Sequence, residues 1–202
     1  NTVCTVTGAN AIQGEANLTY DGTNLQLTTD ANNEGIKIDG GVTYPVFEMT
    51  ANRGAGNTIG KLISKWNGTQ VASISFVSGS DATNKDDGII YFNTASAGTA
   101  TERLRISSNG NIGIGNRTSS PDQLLHVHTA SGDAVIHVEA AADPKLRLRA
   151  HSGESIIQFA DASSSNTGEI NYVHSGDYLK FAVNAGERLR IDSNGKVSIA
   201  SG

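Results

Sequence analysis

Cysteine, aromatic side chains, clustered basic residues and long apolar runs are all scarce in this chain, and each scarcity excludes something. A single cysteine, Cys4, in 202 residues rules out an intrachain disulfide framework and a multi-cysteine zinc site, and leaves only an intermolecular bond open. The net charge of −5, with no run of Lys or Arg, argues against a nucleic-acid partner, which needs concentrated positive charge to neutralise phosphates. The longest apolar runs are as short as GIIYF at 88–92, so no membrane insertion is expected, and no secretory signal opens the sequence.

The most consequential shortage is apolar area. Hydrophobic residues make up 37% and aromatics 5%, below the usual share of a globular domain. Burial at about 25 cal/mol per Å² must offset about 1–2 kcal/mol of backbone entropy per ordered residue. A single copy is therefore expected to be marginal, and burial against other subunits would repair the deficit.

What the chain does have is alternation. Leu25 and Leu27, Ile36 and Ile38, Ile74 and Phe76, Leu104 and Ile106, Ile112 and Ile114, and Leu146 and Leu148 all recur at period two, the spacing of half-buried strands. Turn signals separate them: YDGT at 20–23, WNGT at 66–69, and SNG at 108–110 and 193–195. The expected fold class is all-β.

These turns set registers. A two-residue Asp21-Gly22 turn would pair Tyr20 with Thr23 and Leu18 with Leu25. An Asn67-Gly68 turn would pair Trp66 with Thr69 and Ile63 with Ala72, with Ile59, Ile74 and Phe76 on the side of Ile63. For ERLRISSNGNIGIG at 102–115, a two-residue Asn109-Gly110 turn would split the apolar set between faces. A three-residue loop, Ser108-Asn109-Gly110 with Gly110 at positive φ, instead pairs Ile106 with Ile112 and Leu104 with Ile114. The same rule applied to ERLRIDSNGKVSIASG at 187–202 pairs Ile191 with Val197 and Leu189 with Ile199, and sets Asp192 against Lys196 as an exposed ion pair. Arg103, Arg105, Arg188 and Arg190 would lie on the opposite face. Gly113 and Ser198 stand across from Arg105 and Arg190, leaving room for these cations to reach acidic residues of a neighbouring subunit, or else to form a solvated strand face.

The repetition extends upstream of both hairpins, matching Phe92 to Phe181. The expected organisation is a leader over 1–44, a first β module over 45–120 and a second over 121–202.

ANLTYDGTNLQLT, ERLRISSNGNIGIG and TSSPDQLLHV resemble the shaft and distal repeats of bacteriophage tail fibres, above all those of marine and cyanobacterial phages. In that family the phrase runs E-R-[LM]-R-I-x-S-x-G-N-[IV]-G-I-G-T-T-S-P-x-x-x-L-x-V. Residues 102–115 match it closely, NRTSSP carries two extra residues before Pro121, and the second copy degrades to KVSIASG. The resemblance implies an elongated homotrimer of intertwined strands and hairpins in the virion tail, outside the cell. Its partners would be other tail proteins and a host-surface receptor, polysaccharide or protein. It also implies Leu104, Ile106, Ile112, Ile114, Leu189, Ile191, Val197, Ile199, Arg105 and Arg190 as trimer-forming residues. In several such fibres a self-cleaving chaperone segment follows these phrases; none is expected in this chain.

Few residues suggest chemistry. His126 and His128 fall on one strand face, so three copies could offer six nitrogens to a metal, but alternation alone turns the pair outward and no metal is expected. Asp81, Asp86 and Asp87 fit no EF-hand spacing and read as a solvated turn. Asn17, Asn67 and Asn116 begin N-x-[ST] triplets and read as unmodified turn residues. No nucleophile elbow, spaced carboxylate pair or phosphate-binding glycine loop occurs, so neither catalysis nor a cofactor is expected. The sequence favours a structural fibre segment that contacts a host surface through loops such as 79–88 and 161–168. A polysaccharide-cleaving tailspike and a non-viral adhesin or filament subunit are the alternatives.

Overall fold

The computed structural model describes residues 2–8, 11–27, 36, 38, 44–115, 120–164 and 167–200, with side chains from residue 18 onward. Cys4 and Asn17 have only their backbone described, and Asn116 and the Ser201-Gly202 end fall outside. All regular structure among the described residues is β, in fourteen strands and three open sheets.

The first sheet holds β1 (Thr2–Gly8), β2 (Ala11–Tyr20) and β3 (Leu25–Leu27) in that order. The second runs β4 (Thr58–Trp66), β5 (Thr69–Ser78), β6 (Gly88–Ser96), β7 (Thr99–Ile106), β8 (Ile112–Gly115) and β9 (Leu125–His128). The third runs β10 (Glu154–Phe159), β11 (Gly168–Val173), β12 (Tyr178–Val183), β13 (Gly186–Ile191) and β14 (Val197–Ile199). Neighbours are antiparallel except β8 and β9, which are parallel.

Residues 1–133 and 134–202 form two compact units. The sequence reading puts a module boundary at 120, whereas β9 joins the sheet of the first unit. Glycine permits that addition. At Gly115, where φ is +107, a Cβ would lie 1.8 Å from the His128 carbonyl oxygen. Gly115→Ala is expected to undock β9, seen as accelerated amide exchange over 125–128 with β5 to β7 unchanged.

Both repeated hairpins adopt the three-residue loop. Leu104 pairs with Ile114 and Ile106 with Ile112, and Leu189 pairs with Ile199 and Ile191 with Val197. Gly110 and Gly195 sit at φ +85 and +78, the left-handed conformation this loop requires at its third residue. Asp192 and Lys196 do not form the expected ion pair. The Asp192 carboxylate accepts the backbone N–H groups of Asn194 and Lys196, each at 2.9 Å, so it caps the turn.

Two other registers differ from expectation. Tyr20 pairs with Leu25 and Leu18 with Leu27 around a four-residue loop, because Asp21 Oδ1 accepts the N–H groups of Thr23 at 2.8 Å and Asn24 at 2.7 Å. In the β4–β5 hairpin Trp66 does face Thr69. A bulge then shifts the ladder by one, setting Ser64 against Ala72 and Leu62 against Ile74. Ile63 therefore lies across from Ser73, on the other face.

Candidate functional site

The second sheet presents two very different faces. On one, cross-strand pairing lines up Leu62, Ile74, Phe92, Leu104, Ile114 and Val127, and beside them Phe76, Ile90, Ile106, Ile112 and Leu125. At about 4.8 Å per strand, the first row extends about 24 Å and the second about 19 Å. The third sheet repeats the arrangement with Ile157, Ile170, Phe181, Leu189 and Ile199, and with Tyr172, Leu179, Ile191 and Val197. No side chain in these rows is buried: Leu62 is 47% exposed and Ile199 78%. Among the described residues the buried apolar side chains are only Val77, Pro121, Val173 and Ala182.

The opposite face is polar and better covered. Ser73, Ser75 and Arg105 are buried there, and Asn93 Nδ2 donates to the hydroxyls of Ser73 and Ser75. Arg105 explains how the face closes. A bulge in β7 leaves Phe92 opposite Leu104 but Asn93 opposite Glu102. Residues three apart on a regular strand point to opposite faces; the extra residue, Arg103, brings Glu102 round to the side of Arg105. The guanidinium then donates from Nε at 2.6 Å and from Nη2 at 2.7 Å to the two carboxylate oxygens, with the Tyr91 ring 4.8 Å away. The bond to Glu102 raises the pKa of the guanidinium further.

The same Glu-Arg-Leu-Arg order folds the same way in the third sheet. A bulge between Phe181 and Ala182 of the ladder puts Glu187 beside Arg190, joined at 2.9 and 2.7 Å, with the guanidinium 4.0 Å from the centre of the Tyr178 ring. Arg105 and Arg190 were expected to reach acidic groups of a neighbouring subunit; each turns back to a glutamate of its own strand. The space opposite Arg105 is filled from within the chain, since a Cβ on Gly113 would meet Pro121 at 3.1 Å and Arg105 itself at 3.3 Å. Pro121 is buried there, so the proline of TSSP packs over the hairpin. Among the described residues no such cover follows Arg190, whose side chain is 39% exposed against 9% for Arg105.

His126 lies across from Gly113 and His128 across from Gly115, on the polar face, with Val127 between them on the apolar one. Their rings meet edge to face at 6.1 Å, His126 Nδ1 bonds Asp122, and His128 Nδ1 is buried without a partner. Among the described residues no three His, Cys, Asp or Glu side chains gather as metal ligands. No helix there is long and apolar enough to cross a membrane.

Loop 79–88 is built on carboxylates turned inward to backbone. Asp81 Oδ1 accepts the N–H groups of Thr83 and Asn84, and Asp87 those of Ser80 and Asp81. Asp161 caps Ser163 and Ser164 in the same way. Residues 165 and 166, in the other loop singled out from sequence, lie outside the described residues. DGTN at 21–24, DATN at 81–84 and DASS at 161–164 are thus one turn written three times, a signal the dipeptide reading at Asp21 passed over. The pKa of each leading aspartate is lowered: by the Asn24 and Thr23 N–H groups for Asp21, by those of Asn84 and Thr83 for Asp81, and by the Ser163 hydroxyl and N–H for Asp161. Arg190 lowers that of Glu187. Carboxylates depressed on folding contribute stability above their unfolded pKa of about 4 and lose it as pH falls through the folded value. Melting temperature should therefore be insensitive to these groups between about pH 5 and 8 and decline below about pH 4, less steeply in Asp161→Ala.

No family model and no curated protein matches the chain. Among solved structures, it is similar to the carboxy-terminal domain of the bacteriophage T5 L-shaped tail fibre. The TM-score is 0.59 at 12% identity, over 83% of this chain and 90% of that one. The fold is that of a phage tail-fibre domain. The same T5 domain with its intramolecular chaperone domain gives a TM-score of 0.54 at 14% identity, and there the match spans 62% of the longer chain.

Proposed function

We propose that the chain is a structural segment of a phage tail fibre, assembled as a homotrimer in the virion tail, that contacts other tail proteins and a host surface receptor. The observation that carries this reading is the uncovered pair of apolar rows on each of the second and third sheets. In the trimer Leu104, Ile106, Ile112 and Ile114, with Leu189, Ile191, Val197 and Ile199, face equivalent rows of the other copies. Arg105 and Arg190 brace the outer side of the same hairpins.

A second feature supports exchange of strands between copies. Residues 134–140 and 143–150 pair with no strand of the described chain, yet Val135 is 70%, Ile136 71%, Leu146 74% and Leu148 44% exposed. Backbone that belongs to no ladder, beside exposed apolar side chains, is what a sheet edge of another copy would take up. The T5 neighbour is a tail-fibre domain, and the same role in this chain accounts for the apolar shortage, the repeated hairpins and the structural use of the carboxylates.

Antibodies raised against the purified chain test the assignment to the virion. They should decorate tail fibres of the phage in electron micrographs, and labelling of the head, or of no particle, would contradict it.

A further inference from the structure

The only tryptophan of the chain is spent at the surface. Trp66 ends β4 and is 79% exposed, whereas tryptophan is ordinarily well buried and apolar area is scarce throughout this chain. It borders an open depression of about 540 Å³ floored by small side chains, Val71, Ala95, Ala97 and Gly98, with Thr69 at its side. That volume is of the size that accepts small ligands.

Two hairpin turns at the same end of the sheet frame the depression. Asn67-Gly68 has φ of +47 and +81, and Ala97-Gly98 has φ of +54 and +89. Asparagine tolerates the left-handed conformation at the first turn position; alanine does so at a cost. The strained position nevertheless keeps a methyl group where a longer side chain would enter the depression. Trp66 alternates with Ser64 and Leu62 on the side of the apolar rows, because the extra residue of the bulge, Val71, belongs to β5, whereas Ala95 shares the face of Tyr91 and Asn93. The depression lies at the hairpin end, past the row of Ser64, Ala72 and Thr94, and so beyond the apolar rows themselves. The third sheet has no counterpart, since no tryptophan follows residue 66.

We propose that the Trp66 depression binds an uncharged pyranose ring of a bacterial surface polysaccharide. The lining carries no charged side chain, which favours a neutral sugar over an acidic or a basic one. The indole offers a flat apolar surface for the C–H face of the ring, and its N–H, the Asn67 amide and the Thr69 hydroxyl supply polar contacts at the rim. Several copies displayed on one fibre would turn weak single contacts into firm adhesion. The source of the sugar rests on the attachment reading above; the site itself does not.

Because Trp66 is the sole tryptophan, its fluorescence reports on this site alone. The assembled full chain is titrated with glucose, galactose, mannose and N-acetylglucosamine and with their oligomers, and the binding of labelled protein to cells of the host bacterium is measured in parallel. The expected result is iodide-accessible emission that shifts saturably with at least one neutral sugar. Trp66→Ala should lower cell binding by about tenfold or more, with Trp66→Phe retaining part of it and both variants melting as the parent does. Emission unmoved by every neutral sugar, with Trp66→Ala binding cells as well as the parent, overturns the sugar site and leaves attachment standing. A shift with neutral sugars but no binding to cells supports the site and overturns attachment. A response to charged sugars alone, or emission already shielded from iodide because another copy covers the indole, also overturns the proposal.

Discussion

Ile106→Asp is expected to abolish the proposed trimer, whereas Ile63→Asp should leave it intact. Ile106 stands mid-row on the apolar face, between Ile90 and Ile112. In the proposed trimer its replacement would bring three carboxyl groups into one shared interior. Even protonated, each acid costs about 2 kcal/mol or more if it finds no hydrogen bond, and left ionised it costs far more. Ile63, across from Ser73 on the polar face and 49% exposed, undergoes the same chemical change where water can solvate it. Sedimentation of both variants at one concentration checks the pair. The expected outcome is a monomeric or aggregated Ile106→Asp and a parent-like Ile63→Asp. Equal behaviour would mean that the rows are not what holds the copies together.

Loss of the Glu102 carboxylate has the second largest effect. Glu102→Ala removes both carboxylate bonds from the Arg105 guanidinium, whose residue is only 7% exposed, beneath Pro121 and beside Tyr91. Breaking a buried ion pair from one side costs about 3–5 kcal/mol, while replacing both partners by apolar groups is often nearly neutral. Glu102→Ala should therefore lower the melting temperature by roughly 10 °C, and adding Arg105→Leu should restore most of it. Glu187→Ala, next to the more exposed Arg190, should cost much less. Thermal melts of the three variants form a double-mutant comparison; a Glu102→Ala loss no larger than that of Glu187→Ala would show that the covered pair carries no special weight.

The two phrases that made the hairpins legible did not reveal this clamp. At Ile106 and Ile112 the register could be chosen because only one loop length gathers four apolar residues on a face. The β4–β5 ladder offered no such discrimination. Leu62 and Ile63 are both apolar, so a one-residue bulge moves one inward and the other outward without disturbing any visible pattern. Glu102 and Arg105, three apart, read as residues of opposite faces until a bulge joins them, and bulges leave no mark in a period-two pattern. The buried cation was missed for the same reason: its cover, Pro121, arrives from beyond the hairpin. β9 illustrates a different limit. LHVH alternates as a strand should, but its parallel addition to β8 depends on a bare backbone at Gly115 meeting the His128 carbonyl, a contact between segments. The shortage of apolar area, by contrast, was plain from composition, and it has a direct structural counterpart in rows that no part of the described chain covers.

Sedimentation equilibrium of the parent chain in dilute neutral buffer tests the central claim most directly. A mass three times that of the 21.0 kDa chain, unchanged on dilution, is the result expected of copies that share their apolar rows. A stable, folded monomer with Leu104, Ile106, Ile112 and Ile114 open to solvent would contradict it.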